Sequence, residues 1–173
     1  MANTYIQIGS TATAGAGGAA SFDFTSIPAT YTDLVVVMSL RSTALTDLGT
    51  IGINLSFNGS TSNRNQIRIF GAGTTVGSDN ATSAGIRATL PTSTSTASTF
   101  GSLSVYFPNY AGSANKSFSV DSVAENNSAT SNELDMTAGL WSITSAITSL
   151  SFSPSSGNFV QYSTASLYGI SKS

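Results

Sequence analysis

Eight carboxylates are the first residues here that could do chemistry: Asp23, Asp33, Asp47, Asp79, Asp121, Glu125, Glu133 and Asp135. Glycoside hydrolysis needs two such groups facing each other across a cleft, one protonating the leaving oxygen and one acting as base or nucleophile. Asp121 and Glu125 are the most suggestive pair, since residues four apart share one face of a strand, and Glu133 and Asp135 share a face as well. A solvated sheet face accounts for both pairs, and Glu133 and Asp135 in particular are expected to face solvent. The chain has no Cys and no His, which removes thiolate chemistry and disulfides together with the commonest general base and metal ligand.

A nucleophilic serine would therefore have to draw on a lysine. Lys116 stands beside Ser117 and Lys172 lies near the C-terminal end, but Ser and Thr make up about a third of the chain, so such neighbours arise by chance. The run 71–78 (GAGTTVGS) resembles a phosphate loop only superficially; it lacks the lysine and the following helix that the chemistry requires, and reads as a turn. Asp79, Asn80, Asn126 and Asn127 offer oxygen ligands for calcium, without the spacing of an EF-hand or a nonapeptide repeat. No catalytic, cofactor-binding or metal-ligating residue is expected. Binding falls to the aromatics, with Tyr106, Tyr110, Trp141, Tyr162 and Tyr168 able to stack on sugars or anchor a protein, although a sandwich core uses the same side chains.

The elements that would position these groups are strands. Apolar residues alternate with polar ones between clusters of Gly, Ser, Asn and Pro, the pattern of short half-buried strands. In residues 33–41, Leu34, Val36, Met38 and Leu40 share one face and Val35, Val37, Ser39 and Arg41 the other, so this strand is expected to be central and covered on both faces for part of its length. Ile51, Ile53, Leu55 and Phe57 form a one-faced strand ahead of Asn58-Gly59, a hairpin dipeptide, with residues 66–70 expected to return beside it. Further alternating segments lie at 5–8, 21–24, 84–90, 103–107, 118–123, 134–140, 148–152 and 165–170, with Trp141 on the opposite face from Leu134, Met136, Ala138 and Leu140. Residues 92–99 (TSTSTAST) read as a loop in preference to a polar edge strand. The expectation is a single-domain, all-β antiparallel β-sandwich over residues 1–173, of about ten short strands, with a jelly roll as one possible topology.

Only 8% of residues are charged, against roughly 25% in ordinary soluble proteins, so hydroxyls carry solubility. The six basic residues (Arg41, Arg64, Arg68, Arg87, Lys116 and Lys172) are scattered, which argues against nucleic acid as a partner. The first nine residues have neither a basic nor an apolar signal region, and no stretch approaches the ~20 apolar residues of a membrane helix. Synthesis in a host cytoplasm without classical secretion is expected, so the Asn-x-Ser/Thr sites at Asn54, Asn58, Asn80, Asn115 and Asn126 read as chance matches.

The segments MANTYIQIGS, GAGGAASFDFTSIPATYTDLVVVMSLRS and GNFVQYSTASLYGISKS resemble small virion structural proteins of tailed bacteriophages, notably those of aquatic bacteria and cyanobacteria. The likeness runs over 1–41 and from about residue 100 onward; it carries no site residues. It implies a β-sandwich on the virion surface, released by lysis, assembled as a homotrimer and bound to other virion proteins. Two roles follow as expectations. One is a capsid cement or decoration protein, whose N-terminal strand or 15–20 segment adds to a neighbour's sheet; the other is a tail fibre adhesin recognising a host surface glycan.

Overall fold

A computed structural model describes residues 4–46, 51–82, 85–86, 88–127 and 132–171. The expected positions Asp47, Arg87 and Lys172, and the start of the 84–90 segment, lie outside them. The described chain is all-β, with thirteen antiparallel strands in two sheets that pack as a sandwich and do not close into a barrel.

In chain order the strands are β1 (Tyr5–Gln7), β2 (Ala12–Thr13), β3 (Phe22–Phe24), β4 (Asp33–Leu40), β5 (Ile53–Phe57), β6 (Arg64–Ala72), β7 (Thr75–Ala81), β8 (Gly85–Ile86), β9 (Gly101–Phe107), β10 (Lys116–Ala124), β11 (Glu133–Trp141), β12 (Leu150–Pro154) and β13 (Thr164–Ile170). The large sheet runs β1-β13-β4-β9-β10-β11-β6-β7, with β2 also paired to β13; the small sheet runs β3-β12-β5-β8. The sequence pattern is kept on the inner face at the centre, but the cover expected on the second face is missing at Val37. Leu34, Val36, Met38 and Leu40 are buried, while Val37 and Ser39 are exposed on the outer face and Val35 is half-buried.

The small sheet sits over this central region. Ile53, Leu55 and Phe57 of β5, with Phe22, Phe24, Leu150 and Phe152, meet Leu103, Val105, Phe107, Phe118 and Val120 from the large sheet. Phe57 is the hub, stacked on Trp141 at 4.9 Å and tilted against Phe118 at 5.6 Å and edge-on to Phe107 at 5.8 Å, and burying each such ring contributes about 1.5–3 kcal/mol. Gly139 is required here, because it pairs across from Phe118 and a Cβ would fall 2.1 Å from that ring.

Several local expectations are corrected. Asn58-Gly59 does make a tight turn, with φ of 50° and 77° and Phe57 bridged to Ser60. The chain then leaves for the other sheet: residues 66–70 pair with β11 and β7, while β5 pairs with β12 and β8. The Asn58 side chain explains part of this, since its Oδ1 accepts the Thr148 and Ser149 N–H groups and its Nδ2 donates to Ala146, tying the turn to the approach of β12. The run 71–78 is only partly a turn; Gly73-Thr74 join β6 to β7, and residues from Thr75 onward are strand. Within 84–90 only Gly85–Ile86 is described as strand, making two rungs with β5.

Residues 92–99 do form a loop, and it is built around Arg41. That guanidinium, expected to face outward with Val35 and Val37, is buried and donates to the carbonyls of Ser95 (3.0 Å), Thr96 (2.7 Å) and Thr99 (3.0 Å). Of the segments expected to add to a neighbour's sheet, β1 pairs with β13 and is the end strand of the large sheet, while Gly15 bridges Gly18 and Ala19 bridges Phe159.

Candidate interaction surface

The far part of the large sheet, β11-β6-β7, meets only the β8 end of the small sheet over much of its inner face, and its polarity is inverted. Along β11 the inward residues are Glu133, Asp135, Thr137 and Trp141, while Leu134, Met136, Ala138 and Leu140 face out. The expectation that Glu133 and Asp135 face solvent is therefore wrong: Asp135 is 0% exposed. Trp141 does lie on the opposite face from the aliphatic set, but it is the tryptophan that enters the core, at 2% exposed, against 53% for Met136.

The physical cause is what covers the inner face. Over this region lie the two-residue β8 and residues 88–90, which are not in a strand and whose backbone groups need partners. Gln66 donates to the Gly85 carbonyl, and the Ser122 hydroxyl accepts the Thr89 N–H (3.0 Å) while donating to Asp135 Oδ2 (3.0 Å). Arg68 completes the inner layer. It donates to Asp79 (2.9 Å), Glu133 (3.1 Å) and Asp135 (2.8 Å), and lies 4.3 Å from the centre of the Phe70 ring. Burial raises the Asp135 and Glu133 carboxyls above the ordinary range, with Arg68 pulling the other way; Arg68 itself resists burial and is held up by Asp79 and Asp135.

The outer face of the same strands is an aliphatic field. Ile67 and Ile69 of β6 lie beside Ala138 and Met136 of β11, with Leu134 next to Val123 of β10 and Leu140 and Val76 at the ends. All but Ala138 are large aliphatics exposed by 38–86%. A hollow of about 360 Å³ opens over the small side chain of Ala138, lined by Ile67, Ile69, Ser119, Asp121 and Met136. Asp121 is the one charged residue on this outer face among the described residues of β10, β11, β6 and β7.

The near part of the outer face differs. Hydroxyls of Ser39, Ser102 and Ser104 dominate it, and toward its edge the cross-strand row Tyr106, Val35, Tyr168 and Gln7 runs from β9 to β1, with Tyr5 and Asp33 one row along. The Tyr106 hydroxyl donates to Asp33 Oδ2 at 2.9 Å, and burial together with that carboxylate raises the phenol above its ordinary value.

The remaining expected residues disperse. Asp121 and Glu125 do not converge: the first lines the aliphatic hollow, and the second accepts the Asn127 N–H at 2.6 Å. Lys116 points inward, 1% exposed, and donates to the carbonyls of Gly112, Ala114 and Thr144, whereas Ser117 faces the other way, so no Ser–Lys pair forms. Asp79 turns in toward Arg68, Asn80 faces out, and Asn126 is bound to Thr96, so these oxygens do not gather around one point. Among the described residues no group of three or more acidic side chains is placed to hold a metal.

Of the aromatics, Tyr110 and Trp141 belong to the core, Tyr106 and Tyr168 to the outer face, and Tyr162 to an exposed loop. The aliphatic field was missed in the sequence. Its signal is the nine-residue strand ELDMTAGLW, which alternates equally well with either face inward. Family models, curated proteins and solved structures yield no match to this chain.

Proposed function

We propose that this chain is a non-enzymatic virion structural protein of a tailed bacteriophage, decorating the outer capsid shell and adding contact area that resists internal pressure. The observation that carries this reading is the aliphatic field on β11-β6-β7: a contiguous patch of large exposed aliphatic side chains, with Asp121 the one charged residue on that face, marks a protein–protein contact. The sequence resemblance to virion proteins supplies the setting. The described cations support a protein partner over nucleic acid, because Arg41, Arg64, Arg68 and Lys116 are all turned inward.

A second reading, a tail fibre adhesin for a host glycan, draws on the tyrosine row at the opposite edge, where Tyr5, Tyr106 and Tyr168 present ring surface beside the Asp33 carboxylate. Copy number separates the two. Mass spectrometry of purified virions should give about one copy per major capsid subunit for a decoration protein. A few copies per particle would favour the adhesin, and absence from particles would end both.

A further inference from the structure

We infer that the aliphatic field of β11-β6-β7 is covered by the same field of a second copy of this chain, packed face to face across a two-fold axis. This rests on reading the field as a protein contact, as above, and names the partner.

Three observations select a second copy. The first is area: the exposed aliphatic side chains of the field present on the order of 700 Å², near the ~800 Å² per partner of a standard stable interface and above what monomers usually leave open. The second is charge. A hetero-partner is commonly steered by complementary charge, but β11, β6 and β7 place no charged residue on this face, and the lone Asp121 of β10 pairs across from Met136 and lines the hollow. A copy brings no other charge to the contact, so the two Asp121 carboxylates are its one like-charge cost. The third is shape, for the face carries its own knobs and its own hollow. Ile67, Ile69 and Met136 stand up beside the depression over Ala138, so a half-turn rotation sets the Met136 knob of one copy into the hollow of the other.

Self-complementarity within one patch is the property of an isologous, two-fold contact; a three-fold ring joins two different patches. The pairing proposed here therefore differs from the homotrimer that the resemblance implies. The field also runs out to the last strand β7, where Val76 is 86% exposed, so face-to-face packing would cover side chains across the full width of β11-β6-β7.

The test is sedimentation equilibrium of the full chain at tens of micromolar, with Met136→Glu and Ile67→Glu as field variants and Ser39→Glu, on β4 in the near part of the same face, as control. Circular dichroism verifies that each variant keeps the wild-type β spectrum. The expected result is about 35 kDa for wild type and the control, twice the 17.6 kDa chain, and 17.6 kDa for both field variants. A monomeric wild type, a trimer, or a pair that survives both substitutions would overturn the inference. Binding to virions distinguishes the two levels. A monomer that decorates particles and loses binding on Met136→Glu keeps the decoration role and defeats the pairing, whereas a confirmed pair absent from virions keeps the pairing and defeats the role.

Discussion

The two parts of the large sheet solve the same burial problem in opposite ways. Over β4, β9 and β10 the inner face is aliphatic and aromatic, because a regular sheet with its own satisfied backbone lies against it. Over β11, β6 and β7 the inner face is Arg68 with three carboxylates, and the aliphatic residues are outside. The difference teaches that strand alternation is a statement about two faces and does not say which is the core. The covering layer decides, and here a short strand and irregular chain demand polar partners.

The comparison can be broken from either side. The largest effects should come from removing each part's inner anchor. Phe57→Ala opens a cavity among Phe107, Phe118 and Trp141 and should cost about 3–5 kcal/mol in urea unfolding. Arg68→Leu leaves Glu133 and Asp135 without their cation and should cost a similar ~3–5 kcal/mol, a penalty absent if that inner face were solvated. The Phe57 loss should be nearly independent of pH between 5 and 7, and the Arg68 loss should shrink as the stranded carboxylates take up protons.

A smaller effect follows from Glu133 and Asp135 in the wild type. Both have raised folded-state values, so between their ordinary values of 4.5 and 3.8 and the raised ones the folded chain holds more protons than the unfolded chain. Stability therefore falls as pH rises through that window and is greatest below it. The melting temperature should fall as pH is raised through that window, and Glu133→Gln with Asp135→Asn should flatten the slope. The smallest effect on folding belongs to the field. Met136→Ser should change the stability of the isolated chain by no more than ~0.5 kcal/mol, since the side chain is half exposed.

Much of the fold was legible where alternation and covering agree. The 33–41 pattern named the four buried residues of β4, and the all-β two-sheet architecture followed from period-two segments and turn residues. Pairing was not legible across Asn58-Gly59: a tight turn fixes the local reversal, but the next strand joined the other sheet. The inverted face was not legible because ELDMTAGLW has five residues on one face and four on the other, and apolarity alone assigns the wrong side. Opposite charges on two segments expected to be strands, Arg68 against Glu133 and Asp135, were the available hint that these groups satisfy one another.

The central claim, that β11 buries its polar face and exposes its aliphatic one, is tested most directly by thiol labelling, since the chain has no cysteine of its own. Met136→Cys and Thr137→Cys are adjacent on β11 and lie on opposite faces. At nanomolar concentration, where a pair would dissociate, a maleimide should modify Cys at 136 within the time of a free thiol and leave Cys at 137 protected until the protein unfolds. The reverse order of reactivity would show the aliphatic face to be the core, and would remove the interaction surface on which the functional reading stands.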